Sequence, residues 1–189
     1  MSQLVRPTPE LRRVRLLLRS FFAEYLRIVE PDAAAELRLD QIAFRRKRLD
    51  GVGLAAEIPD GRDGEKVNVL VQIEPEALPR CAAAGRIRRS LQILRLPYGA
   101  PLLVSMLYLR GGRPGIHLDS GSMAEAGRIE VVRLYFTTFA LAETRAEYYL
   151  ERPEPLAWAL AAQMRPTRRN PDEHRRACLE RISAAALDE

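Results

Sequence analysis

Apolar and polar positions alternate most clearly between Val67 and Ala77, in the run VNVLVQIEPEA. By the two-residue period of a strand, Val67, Val69, Val71 and Ile73 share one face, and all four are β-branched. Asn68, Leu70, Gln72, Glu74 and Glu76 share the other face. The pattern predicts a strand with one core side and a second side that turns polar and ends on two carboxylates. Upstream, Leu11, Val14, Leu18, Phe21, Phe22, Tyr25, Leu26 and Val29 recur at helical spacing, and Arg12, Arg13, Arg15 and Arg19 mostly occupy the opposite face. Thr8 supplies a cap, Pro9 suits the first helical position, and Glu10 suits the positive end of the dipole. Pro31 stops this helix near Glu30, and Pro31 to Leu37 starts a short second one.

Gln41 to Leu49 reads as a short strand or turn carrying the basic run Arg45-Arg46-Lys47-Arg48. Gly51 to Ile58 is a strand weakened by two glycines, and Pro59 to Lys66 is a strong turn, so this segment and Val67 to Ile73 form a hairpin. Glu76 to Leu96 predicts a basic helix with Ile87, Leu91 and Leu94 as its apolar side. Pro101 to Leu109, bounded by turn residues, suits a strand buried on both faces, as in a parallel arrangement. Gly111 to Gly115 is a turn, and Arg128 to Phe139 is a further strand. A helix joining two apolar strands is a crossover unit. Ala142 to Glu151, Pro153 to Met164, and Asn170 (as cap) to about Leu187 read as helices. The predicted class is α/β, a mixed central β-sheet flanked by helices. Residues 1–140 form the core and residues 141–189 a helical C-terminal extension packed on it.

Composition narrows this only a little. At 189 residues with 47% hydrophobic residues, the chain buries a core without staples. The net charge of +5 comes almost wholly from arginine on the basic side, which permits a nucleic-acid or acidic partner. Solvated surface arginines account for it equally well. Two cysteines, Cys81 and Cys178, make neither a disulfide framework nor a zinc site, and read as buried or half-buried thiols. Neither HExxH nor CxxC nor GxSxG occurs, which leaves zinc-hydrolase and serine-hydrolase chemistry with little support. His117 reads as exposed in a turn, His174 as a surface residue, and Trp158 as core. The first residues are polar and no long apolar run is free of charge, so the expected location is cytoplasmic, without a membrane.

Glu24 to Leu37, Val69 to Ala77, the basic helix from Arg86 to Arg95, Pro101 to Gly115 and Tyr148 to Pro166 together carry a resemblance. Their order resembles the PD-(D/E)XK nuclease superfamily, and within it the Rpn-like branch of recombination-promoting, transposase-like nucleases. The resemblance implies a restriction-endonuclease-like fold and Mg²⁺-dependent cleavage of DNA, with no small-molecule cofactor. It assigns the metal to Glu74, metal binding or water orientation to Glu76, and DNA phosphates to Arg86 and Arg89. The chain departs from the pattern at four places. Gly53 stands where an Asp is expected, Arg48 where a preceding acid is expected, Glu76 where Lys or Gln is typical, and Ser90 where a Tyr is common. These departures imply that cleavage is weakened or lost unless another acid, Asp50 first, then Asp60 or Asp63, replaces the missing one. Arg48 is expected to pair with Glu74 instead of a metal. The alternatives are a non-catalytic nucleic-acid-binding module on the same fold and a protein-interaction module, homodimeric through its C-terminal helices.

Overall fold

A computed structural model describes residues 8–47, 49–96, 99–124 and 131–185. Among them are seven α-helices and a six-stranded mixed, open sheet. Helices α1 (Pro9–Ser20), α2 (Phe22–Val29) and α3 (Pro31–Glu36) lead into β1 (Ala43–Phe44), β2 (Val52–Pro59) and β3 (Lys66–Glu76). Helix α4 (Arg80–Leu94) crosses to β4 (Leu102–Arg110), followed by β5 (Gly115–Ala124) and β6 (Val131–Ala140). Helices α5 (Glu147–Leu150), α6 (Pro155–Ala161) and α7 (Pro171–Ala185) close the chain.

The strand order is β1-β2-β3-β4-β6-β5. β2 and β3 form the expected antiparallel hairpin, and β4 lies parallel to both β3 and β6. That two-sided pairing explains why β4 is apolar almost throughout. Alternation along β3 sorts the core into two layers. Val69, Val71 and Ile73 join α1, α2, α5, α6 and α7 on one face of the sheet. Leu70 joins Ala83, Ile87 and Leu94 of α4 on the other. Leu156, Leu160 and Met164 lie in the first layer together with Phe22 and Tyr25, and Tyr25 Oη bonds Ser105 Oγ of β4 at 2.6 Å.

Several elements differ from the sequence expectations. The single first helix is broken at Phe21 (φ −116°, ψ 38°). The break turns α2 so that five of its eight residues are buried, against two in α1. Helix α4 begins only at Arg80, because Pro79 (ψ 145°) is extended and precedes the first turn. Residues 115–124, expected to contain no strand, form β5, which pairs antiparallel with β6 along the whole of its length. Helices α5 and α6 are shorter than expected, α7 starts after its Asn170 cap as expected, and the expected strand positions 128–130 and helix positions 186–187 lie outside the described residues.

His174 is buried, not exposed: its Nε2 lies 2.7 Å from Ala161 O of α6, and Cys178 Sγ is 3.6 Å away. The His174–Cys178 pair is the face on which α7 meets α6. Cys81 is exposed. Trp158 is half-buried, its Nε1 donating to Arg152 O at 2.7 Å. The two predicted caps form, with Thr8 Oγ1 accepting from Leu11 N, and Asn170 Oδ1 from Asp172 N and Glu173 N. Among the described residues no helix is long and apolar enough to cross a membrane.

Candidate functional site

The β2–β3 hairpin and α4 bring one polar cluster together inside the α4-facing layer. Register pairs Val52 with Ile73 and Gly53 with Gln72, so Glu74 stands just beyond the start of β2. There the chain turns through Gly51 at φ +89°, a left-handed conformation that glycine adopts freely. A Cβ at Gly51 would lie 2.9 Å from Arg86 Nη1 and 3.7 Å from Glu74 Oε1. The turn folds Asp50 back over the cluster. Asp50 therefore reaches the site through a turn, without the shifted strand register that its spacing from Gly53 suggests.

Glu74 is buried, its side chain only 8% exposed. Arg86, nearly two turns inside α4, lies between the two acids. Its Nε sits 3.2 Å from Glu74 Oε1, and its Nη1 donates to Asp50 Oδ1 at 3.4 Å. Arg89, on the next turn, donates from Nε to Asp50 Oδ2. The result is a chain, Glu74–Arg86–Asp50–Arg89, of two negative and two positive charges. The Arg86–Glu74 contact is an ion pair without hydrogen-bond alignment, so Glu74 Oε1 and Arg86 Nε have no hydrogen-bond partner. Burial pushes the Glu74 carboxyl above the usual range. Arg86 pulls it back, Asp50 adds to the rise, and Arg89 opposes it. Tyr108, the β4 neighbour of Glu74, has its hydroxyl pushed up to about 12, chiefly by burial.

Gln72 and Gly53 form the inner end of the same face. Gln72 Nε2 donates to Ser90 Oγ, and both residues are fully buried. Gln72 Oε1 has no partner and would lie 3.1 Å from a Cβ at Gly53. A Cβ there would also come within 2.5 Å of Val71 O and 3.0 Å of Leu49 Cδ1. The place where the family pattern puts an Asp has no room for a side chain.

The sequence-predicted residues thus fall into two groups. Glu74, Arg86, Arg89 and Asp50 meet. Glu76 is exposed at the strand end; its backbone pairs with Arg110 of β4, and its side chain has neither a hydrogen bond nor an ion pair among the described residues. Asp60 and Asp63 lie in the distal β2–β3 turn, where their side chains accept bonds from the turn's own backbone. Arg48, expected to pair with Glu74, lies outside the described residues, and the partner found is Arg86. The missed relation had a signal: Arg86 and Arg89 are three apart on a helix whose apolar side, Ile87 and Leu94, faces the same strand.

Mg²⁺ requires several oxygen donors in near-octahedral geometry. Here the two carboxylates are held apart by a guanidinium that already contacts both. No cluster of three or more His, Cys, Asp or Glu close enough to share a metal occurs among the described residues. In this arrangement the donor set does not fit a resident divalent cation. Comparison with protein-family models, with curated proteins and with solved structures gives no match to this chain.

Proposed function

We propose that this chain is a PD-(D/E)XK nuclease-like protein of the Rpn type that binds nucleic acid without hydrolysing it. The observation that carries this reading is the Arg86 guanidinium between Glu74 and Asp50. Hydrolysis of a phosphodiester at such a site needs a cation on the carboxylates to activate water and offset charge on the phosphate. A guanidinium supplies one positive charge to the carboxylates and offers no open coordination position. A second cation in the same place would meet that charge at short range in a poorly solvated environment. The restriction-endonuclease-like fold belongs to the same proposal. It is supported by a leading helix, a hairpin ending on Glu74, a basic crossover helix and a parallel strand, in that order.

The test is supercoiled plasmid incubated with Mg²⁺ or Mn²⁺, beside a gel shift at low salt. We expect a shift and no nicking above the level of Glu74→Ala. Metal-dependent nicking that Glu74→Ala abolishes would restore the reading as an active endonuclease. Neither nicking nor shift, with a dimer that persists in high salt, would select the interaction module.

A further inference from the structure

The arginines expected to hold phosphates, Arg86 and Arg89, are committed to Asp50 and Glu74. A second basic surface lies on the other side of β2. Strand β1 pairs only with Ala56 and Glu57, and Arg45 N adds a last bond to Ala55 O at 2.8 Å. Among the described residues, no neighbouring strand covers the outer edge of β2 at Val52, Gly53 and Leu54. Helix α1 runs along that edge. Two adjoining hollows of ≈ 460 and ≈ 550 Å³ lie between α1 and residues 44–47 and 49, with Gly53 in the wall of both.

Arg12, Arg15 and Arg19 of α1 line one wall, and Arg46 and Lys47 the other. Spacings of three, four and seven residues put the three helix arginines on one face. Neither hollow has a carboxylate among its described lining residues. Arg15 Nε donates to the open Gly53 carbonyl at 2.9 Å, and the Arg19 guanidinium sits over the Phe44 ring, 5.2 Å from its centroid. Lys47 Nζ lies 3.3 Å from Ile93 O and Leu94 O at the end of α4. All of these are neutral partners, so the charges remain uncancelled. Arg12 and Arg46 are exposed.

We infer that this groove is the surface that takes the nucleic acid, and that it does so through the sugar–phosphate backbone. The inference rests on the nucleic-acid-binding reading above and places the contact on α1 and residues 46–47 instead of α4. The dimensions agree. At about 1.5 Å per residue, Arg12 to Arg19 spans about 10 Å, the axial reach of about three phosphates on one strand of a duplex. The groove offers guanidiniums in a row, and its aromatic ring, Phe44, already lies under Arg19, which suits backbone contact over base reading.

The experiment compares three full-length proteins by fluorescence anisotropy with a labelled duplex DNA, over a series of salt concentrations. They are the wild type, Arg12→Glu/Arg46→Glu, and a charge-matched control, Arg168→Glu/Arg176→Glu, placed on the C-terminal linker and α7. All four arginines are exposed, so circular dichroism and melting are expected to match across the set. Each phosphate contact contributes about 0.9 to the slope of log K against log salt, or about eightfold in affinity near 0.1 M. The groove variant is expected to bind at least about fifty-fold more weakly, with a slope smaller by about 2, and the control to stay within about twofold of wild type. Equal weakening of both variants, or of neither, while the wild type binds would overturn the groove and leave the nucleic-acid reading standing. A wild type that does not bind at low salt would overturn both.

Discussion

The carboxylate centre and the α1 groove are built from the same side chain and end in opposite electrostatic states. In the centre, Arg86 and Arg89 face Glu74 and Asp50, and two positive charges meet two negative ones within the fold. In the groove, Arg12, Arg15, Arg19, Arg46 and Lys47 meet carbonyls, an aromatic ring and solvent, with no acid among the described lining residues. Buried, paired charges are screened weakly by salt and act on stability. Exposed, unpaired charges are screened strongly and act on association. Net charge summed over the chain cannot distinguish the two. Only the acids on neighbouring elements decide whether an arginine is a structural counter-ion or a contact for a polyanion.

The sharpest way to break the comparison is to place at Gly53 the acid that the resemblance leads one to expect there. By donor count alone, Gly53→Asp would add a third carboxylate to the centre. Yet a Cβ at residue 53 meets Val71 O at 2.5 Å, backbone of the central hairpin that cannot swing away. The added charge would also face buried Glu74. We expect a loss of about 3 kcal/mol or more, read as a fall in the urea midpoint at constant slope. An undiminished midpoint together with new metal-dependent cleavage would mean that the position is an acid's natural place and that the centre is open.

Arg86→Met is the next largest. It leaves Glu74 buried beside Asp50 with Arg89 as the remaining cation. Removing one partner of a fully buried pair costs about 3–5 kcal/mol, and with Arg86 still 27% exposed we expect about 2. The sign with pH follows from the direction of the Glu74 shift. Its carboxyl is already raised above 4.5, and loss of Arg86 raises it further, so the folded form holds its proton to higher pH than the unfolded chain. The penalty is absent below about pH 4 and grows as pH rises through the carboxyl range. Melting curves of wild type and variant should therefore converge in acid and separate near neutrality. Glu74→Gln in the Arg86→Met background should recover most of the loss, which a purely steric role for Arg86 would not allow.

Much of the scaffold was legible because it rests on periodicity. β3 and β4 were readable from β-branched alternation and an unbroken apolar run, and the hairpin from PDGRDGEK. β5 was not, because GIHLDSGSMA is polar, rich in glycine and poor in β-branched residues, as befits a sheet edge. His174 was misread because a His and a Cys four apart do not look like the apolar stripe that they form against α6. The centre was half legible. Glu74 stood out as an acid ending a core strand, but its partner depends on which helix covers that face and on a left-handed turn at Gly51. Neither has a periodic signature. Each wall of the groove was legible as a basic stretch, but not their meeting: they are far apart in sequence and come together only because β1 is too short to cover the edge of β2.

A third carboxylate sharpens the contrast with the smallest effect. Glu147, at the start of α5, accepts from Thr167 N at 2.6 Å and Arg168 N at 2.9 Å, so backbone N–H groups hold its charge where an arginine holds that of Glu74. What burial it has pushes its carboxyl up, but these bonds outweigh it and bring it down to about 2. The linkage therefore runs opposite to that of Glu74. The contribution is complete above the ordinary value of 4.5 and is lost as pH falls toward 2. Glu147→Gln keeps an oxygen acceptor but loses the charge, so a cost below about 1 kcal/mol is expected near neutrality, vanishing in acid. Wild type and Glu147→Gln should thus converge on acidification, as wild type and Arg86→Met do, but for the reverse reason. In one case the wild type loses a stabilising charge, and in the other the variant loses a destabilising one. A wild-type melting temperature followed against Glu147→Gln and Arg86→Met from pH 7 to 2 separates them: the first gap closes because the wild type falls, the second because the variant rises relative to it. A gap for Glu147→Gln that persists undiminished at pH 2 would mean that packing, not the ionised carboxylate, ties α5 to the 167–168 linker.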